Sequence, residues 1–253
     1  MAFDRLFSPM NIGTMTVKNR IVMTAAEFSQ GMASGKPSPR LMDYYEERAK
    51  GGVGLIIPGF CRVNDMGGAS TYTQLAMSHD YHIAPMAEFA RRLHSHGAKL
   101  AIQLHHPGRQ GMASATNSLP LVIPIAERFP GFVDTVFKCT PALLALEAKG
   151  LCFSMQAPSK CELSKHGATR IHAMSKREIH KLIEDFIQAA VRCKKAGVDA
   201  VELHGGHGYL SRHETLRRDM RYGRYSSEAP LHPRSGRGKG LYRSGDNPGR
   251  KDP

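Results

Sequence analysis

A chain of 253 residues can bury one sizeable core and falls at the usual size of a single (β/α)8 barrel, and its 41% hydrophobic and 23% charged content is ordinary for a soluble globular protein. No run approaches the roughly 20 apolar residues of a membrane span, and the opening residues Met1 to Arg5 lack the basic-then-apolar layout of a secretory signal, so the expectation is a cytoplasmic protein without a membrane partner. The net charge of +13 resembles a nucleic-acid signal, but residues 212–253, with 11 Lys/Arg and 5 Asp/Glu, carry a surplus of 6 by themselves.

In chain order, Asn19 to Ala26 reads as a short apolar strand reached through a turn at Gly13. Residues 38–50 place Arg40, Asp43, Glu46, Glu47 and Lys50 on one side and Leu41, Tyr44, Tyr45 and Ala49 on another, an amphipathic helix closed by Gly51 and Gly52. A second apolar strand follows from Val53 to Gly59. The pattern repeats with a helix over 83–96, ending at Gly97, and a third strand from Lys99 to Leu104. The stretch from Pro107 to Met174 is too long for a plain connection. It reads either as an active-site lid or as a structural excursion, with Asn117 to Ile125 turn-rich and apolar, Pro141 to Lys149 suited to a helix, and Pro158 to Arg170 polar. Ser175 and Glu178 form a capping box for a helix running to Ala196, and a fourth strand leads from Asp199 to His204. Alternating strands and helices imply right-handed crossovers and a parallel sheet. Beyond Leu210 the periodicity stops, and 211–253 reads as a basic tail of low order. The five cysteines (Cys61, Cys139, Cys152, Cys161 and Cys193) form no Cys-x-x-Cys pair and are expected to be reduced thiols.

Catalytic groups of a parallel barrel stand at the carboxyl ends of its strands. The fourth strand ends in His204-Gly205-Gly206-His207-Gly208-Tyr209, where two imidazoles can converge on one oxygen that gains charge. A carbonyl held by two such donors accepts hydride more readily at its β carbon, and the Tyr209 phenol can protonate the α carbon. Two other readings compete: a metal pair, which lacks the further protein ligands zinc requires, and plain loop histidines. No metal site is expected.

The segments Asn19-Arg20-Ile21-Val22-Met23, Gly52-Val53-Gly54-Leu55-Ile56-Ile57, Gln103-Leu104-x-His106-x-Gly108-Arg109, Gln156-Ala157-Pro158-Ser159 and Glu202-Leu203-His204-x-x-His207-Gly208-Tyr209-Leu210 resemble, in order, landmarks of the old yellow enzyme family. The resemblance covers residues 3–210. It implies an α/β fold of the (β/α)8 TIM-barrel family, FMN on the carboxyl face, NADH or NADPH as reductant, and an enone or enoate as the small-molecule substrate. By the same resemblance Thr24, Ala25, Ala26 and Gly59 lie against the flavin, Gln103 bonds its pyrimidine edge, His204 and His207 hold the substrate oxygen, and Tyr209 gives the proton. Glu27 departs from the family pattern, standing where relatives often carry Thr or Cys. The long segment 111–170 points to the branch of 2-enoate and 2,4-dienoyl-CoA reductases, whose full-length members add an iron–sulfur cluster; this chain shows no motif for one.

After Leu210 the resemblance ends. The expectation is a barrel truncated to about four βα units in residues 1–210, with 211–253 a basic tail that an out-of-frame reading would explain: His232 to Gly238 can be encoded so that a one-base shift yields Ile-Arg-Glu-Val-Val-Glu-Gly. The resulting function is an ene-reductase sequence of doubtful activity. The alternatives are a non-catalytic fragment, a protein using the basic tail as a nucleic-acid arm, and another flavin barrel of the dihydroorotate dehydrogenase type. Exposed sheet edges would favour homo-oligomers or aggregation.

Overall fold

The computed structural model describes residues 3–110, 113–129, 131, 132, 135, 155–158 and 171–210. A two-residue turn, with Gly13 at φ +60°, joins β1 (Met10–Ile12) to β2 (Met15–Val17) as an antiparallel hairpin. From the sequence only the turn is expected. The hairpin closes one end of the barrel interior, where Val17, Met10 and Met15 pack with Leu55, Ala101 and Ala200.

The main sheet is parallel throughout. β3 (Val22–Met23) pairs with β4 (Leu55–Ile56), β4 with β6 (Lys99–His105), and β6 with β9 (Ala200–Leu203). These are the four expected strands in the expected order, although β3 and β4 are shorter than their apolar runs. One addition is β5 (Cys61–Arg62), which continues along β6 beyond the break at Pro58-Gly59, Cys61 opposite Leu104 and Arg62 opposite His105. Among the described residues β3 and β9 pair on one side only.

Helices α1 (Pro39–Lys50) and α2 (Ile83–His94), together with the long helix Lys176–Lys195, cover one face of this sheet. Each start has a local cause. The Ser38 hydroxyl accepts the Leu41 N–H at 3.1 Å, and Pro39 fits the first helical position, whose N–H would have no partner. At the long helix the capping box is complete: Ser175 Oγ accepts from Glu178 N, and Ser175 N donates to Glu178 Oε2 at 2.7 Å. In β6, Leu100, Ile102 and Leu104 face the helices in a core with Tyr45, Phe89, Leu93, Leu182 and Cys193. The alternate residues Ala101, Gln103 and His105 therefore face the barrel interior. Cys61 and Cys193 are buried free thiols whose ionisation burial pushes up; Cys139, Cys152 and Cys161 lie outside the described residues.

The 107–174 stretch is partly described. A single 3-10 turn at Gly108–Gln110 leads to α3 (Ala113–Arg128), and β7 (Met155–Ala157) pairs in parallel with β8 (Ile171–Ala173); the long helix is hereafter α4. The turn-rich reading of Asn117 to Ile125 is therefore corrected to helix. Pro120 and Pro124 argue against a helix locally because each removes a backbone donor. The tertiary contact wins: Val122 and Ala126 are buried against Ala33, Ala69 and Tyr72. The helix expected over Pro141 to Lys149, the polar run after Pro158 as far as Arg170, and the tail 211–253 lie outside the described residues.

Candidate active site

β6 and β9 lie side by side in register, and the backbone N–H of His204 extends their pairing to the Leu104 carbonyl at 3.0 Å. The loops that follow the two strands are locked together. Leu210 N donates to the His106 carbonyl, Gln110 Nε2 donates to the His207 carbonyl at 2.7 Å, and a Cβ on Gly108 would come within 3.0 Å of the Leu210 backbone. His207 takes the left-handed conformation at φ +56°, followed by Gly208 at φ +75°. Such a φ is uncommon for a residue with a side chain, though less so for His. It turns the chain so that the residues on either side fold back over the strand end.

The result is a compact aromatic cluster. The His204 and His207 rings are 5.2 Å apart at 87°, the Tyr209 ring lies 4.9 Å from His204 and 4.5 Å from His105, and Phe60 stacks on His105 at 4.3 Å. His204 is buried, His207 is exposed and Tyr209 is half-buried. The three residues singled out from the motif thus come together. His105 and Phe60 join them without having been singled out. Strand alternation held the signal for His105, since it shares a face with Gln103.

A backbone hydrogen bond sets the tautomer of His204. The Gly206 N–H donates to His204 Nδ1 at 3.2 Å, so in the neutral ring the proton sits on Nε2. His204 Nε2 faces His207 Nδ1 at 3.4 Å, so in the free site this N–H points at the second imidazole. Burial and then the charge of His207 hold the His204 imidazole below its usual range, keeping it neutral at pH 7 with an N–H to give. The Tyr209 phenol is raised by burial and then by the charge of Glu27, so it too keeps its proton. His105 bonds Ser70 Oγ through Nε2 at 2.9 Å, while its buried Nδ1 has no hydrogen-bond partner among the described residues; burial lowers its basicity strongly.

The other anticipated positions flank this cluster. Thr24 and Ala26 are exposed and Ala25 is half-buried just past β3, whose pairing continues through Ile57 N to the Met23 carbonyl. Gly59 is buried at the end of the adjacent strand. A Cβ there would fall 2.8 Å from the Ala26 carbonyl and 2.5 Å from Glu27 Oε2, so this close approach needs glycine. Gln103 is buried beside β9, its Nε2 donating to Glu202 Oε1 at 2.7 Å.

Glu27 lies over Gly59, and Oε1 accepts the Ser29 N–H at 2.6 Å. Burial raises its carboxyl to about 7, against the lowering effect of Ser29. A raised acid favours the protonated fold, so its stabilisation is full below the ordinary value of 4.5 and is lost as pH rises towards 7. Glu27→Gln should therefore gain stability over the parent between pH 4.5 and 7, reaching roughly 2 kcal/mol after allowance for partial exposure. Denaturant midpoints at pH 5 and pH 8 measure this; an equal difference at both would show that the carboxyl ionises as in water.

Comparison with known proteins fixes the family. The profile of the NADH:flavin oxidoreductase / NADH oxidase family matches residues 5–218. The chain belongs to that family. It is 35% identical over 208 residues to an NADH oxidase of Thermoanaerobacter brockii, covering 82% of this chain and 27% of that one. To an NADPH dehydrogenase of Halalkalibacterium halodurans it is 34% identical over 207 residues, 81% of this chain and 49% of the other. The chain thus spans between about a quarter and about half the length of these relatives. Among solved structures, morphinone reductase in complex with tetrahydroNAD superposes with a TM-score of 0.62 at 22% identity, covering 81% of this chain and 50% of that one. The Old Yellow Enzyme of Pichia sp. AKU4542 gives 0.61 at 22% identity, with 81% and 47% covered. The parallel sheet and its helices are accordingly half of a TIM barrel of this flavin oxidoreductase family. Among the described residues no helix is long and apolar enough to cross a membrane, and no cluster of His, Cys, Asp and Glu could hold a metal ion.

Proposed function

We propose that this chain carries the flavin-ring and substrate end of an FMN-dependent NAD(P)H oxidoreductase that reduces the activated C=C bond of α,β-unsaturated carbonyl compounds. The observation that carries the reading is the convergence of His204, His207 and Tyr209 beside Gln103 at the carboxyl end of the sheet. The residues fit a flavin ring. Small side chains at Thr24, Ala25 and Ala26 and the bare Gly59 leave backbone available at the mouth, and Gln103 offers an amide from the barrel interior. FMN, when bound, supplies the hydride for the β carbon. The His204 Nε2–H, which faces His207 Nδ1 in the free site, turns to the carbonyl oxygen together with an N–H of His207, where negative charge develops, and Tyr209 delivers its phenolic proton to the α carbon. In barrels of this kind the phosphate grip lies in the loops after strands seven and eight, beyond the four described barrel strands.

The test is to titrate the purified chain with FMN, follow quenching of flavin fluorescence, and then add NADH or NADPH followed by cyclohexenone under anaerobic conditions. The expected result is bound flavin that is bleached by the nicotinamide and reoxidised by the enone. Bleaching without enone reoxidation would refute the substrate assignment. Failure to bind FMN at all would make the chain a non-catalytic member of its family.

A further inference from the structure

We infer that Glu202 is a positioning residue that decides which end of the Gln103 side-chain amide faces the flavin site. Gln103 and Glu202 are direct partners in the β6–β9 register, and Gln103 Nε2 donates to Glu202 Oε1 at 2.7 Å. The Glu202 oxygen accepts in this bond, so the amino end of the amide is the end turned toward Glu202. The carbonyl oxygen is then the end left for the barrel interior. Gln103 is buried, where an amide presented the wrong way round would leave a polar group unpaired. The same site therefore presents an acceptor, not a donor, and selects a ligand edge that offers an N–H. An imide N–H, as at N3 of an isoalloxazine, has that chemistry, whereas an N-alkylated imide does not. The inference rests on the flavin reading of the site and adds the residue that sets its polarity.

The test compares the affinities of the parent chain for FMN and for N3-methyl-FMN with those of Glu202→Gln, by quenching of flavin fluorescence. Gln at 202 keeps the shape but can donate or accept, so it no longer dictates the orientation of Gln103. The parent should prefer FMN by about 10-fold or more, on the scale of one buried hydrogen bond plus the cost of stranding its acceptor. Glu202→Gln should shrink that preference to about 3-fold or less. Equal weakening of both flavins, with the preference intact, would mean that Glu202 merely supports the strand, and would overturn the inference. If Glu202→Gln proves insoluble, the exchanged pair Gln103→Glu with Glu202→Gln decides. It restores one acceptor-only partner and keeps an acceptor on β6, so the preference for FMN should return, and its absence would refute the inference. A parent chain that binds no FMN would bring down the flavin reading and this inference together, whereas binding with an unchanged preference in Glu202→Gln would sink the inference alone.

Discussion

Replacing Tyr209 with Phe in the FMN-loaded chain should slow reoxidation of the flavin by an enone about 100-fold, the scale of a lost positioned general acid, while reduction of the flavin by NADH stays close to the parental rate. The expectation follows from where the hydroxyl stands. The ring is wedged edge-on between His105 and His204, contacts that Phe would keep, and the hydroxyl itself makes no hydrogen bond among the described residues that its loss would leave broken. Burial and the charge of Glu27 keep the phenol protonated, so the proton is available throughout the neutral range. His204→Ala should behave differently. It removes a donor to the substrate oxygen itself, so enone affinity should fall along with turnover. Stopped-flow measurement of the two half-reactions separates these cases. A Tyr209→Phe variant that reduces enones at the parental rate would place the proton donor elsewhere, in solvent or in another residue.

The parts of this fold that were legible in the sequence are those whose causes lie within a few residues. Ser175 and Glu178 cap a helix by bonding each other's backbone, and the spacing alone shows it. The His204 to Tyr209 loop carries its chemistry in six consecutive residues, so its convergence was readable as soon as a strand was placed before it. By contrast β5 was missed because the apolar run stops at Pro58-Gly59, and Cys61-Arg62 has no apolar signature of its own. Its strand character comes from pairing with Leu104 and His105, more than 40 positions away. Helix α3 was missed for the opposite reason: two prolines signal a turn, and only the distant patch of Ala33, Ala69 and Tyr72 makes the helix worthwhile.

The site shows the same division. Gln103 and the two histidines were legible from motif and strand end, whereas Phe60 enters the cluster through the break between β4 and β5, which no local pattern announces. Glu27 stood out as a departure in kind. Its consequence, a half-buried carboxyl against Gly59 whose charge is felt by Tyr209, needed the packing of two strand ends to become visible.

Arg62→Met should cost the fold about 3–5 kcal/mol, the penalty for removing one member of a buried ion pair and leaving the other charge uncompensated. Arg62 is fully buried at 0% exposure. Its guanidinium donates to Asp65 Oδ1 at 2.8 Å, to the Gln74 carbonyl at 2.7 Å and to the Ala33 carbonyl at 3.3 Å, joining three separate stretches of chain. Burial alone would push the Asp65 carboxyl up, but the charge and hydrogen bond of Arg62, helped by Ser78 and His79, hold it below its ordinary value of 3.8. A depressed acid stabilises the fold above its unfolded value and loses that contribution as pH falls through the folded one. Without Arg62 the Asp65 charge becomes a liability, so the deficit of Arg62→Met should be largest near neutral pH and shrink below about pH 4, where protonation removes the unpaired charge. Adding Asp65→Asn should recover part of the loss at pH 7 and little at pH 4. The brace also reaches the site: Gln74 Oε1 holds the Ser70 N–H at 2.7 Å, and the Ser70 hydroxyl holds His105. Urea midpoints at pH 4 and 7 for the parent, the single and the double variant measure the effect; a loss under about 1 kcal/mol at pH 7, within the range of ordinary surface changes, would show that Arg62 fills space without bracing the fold.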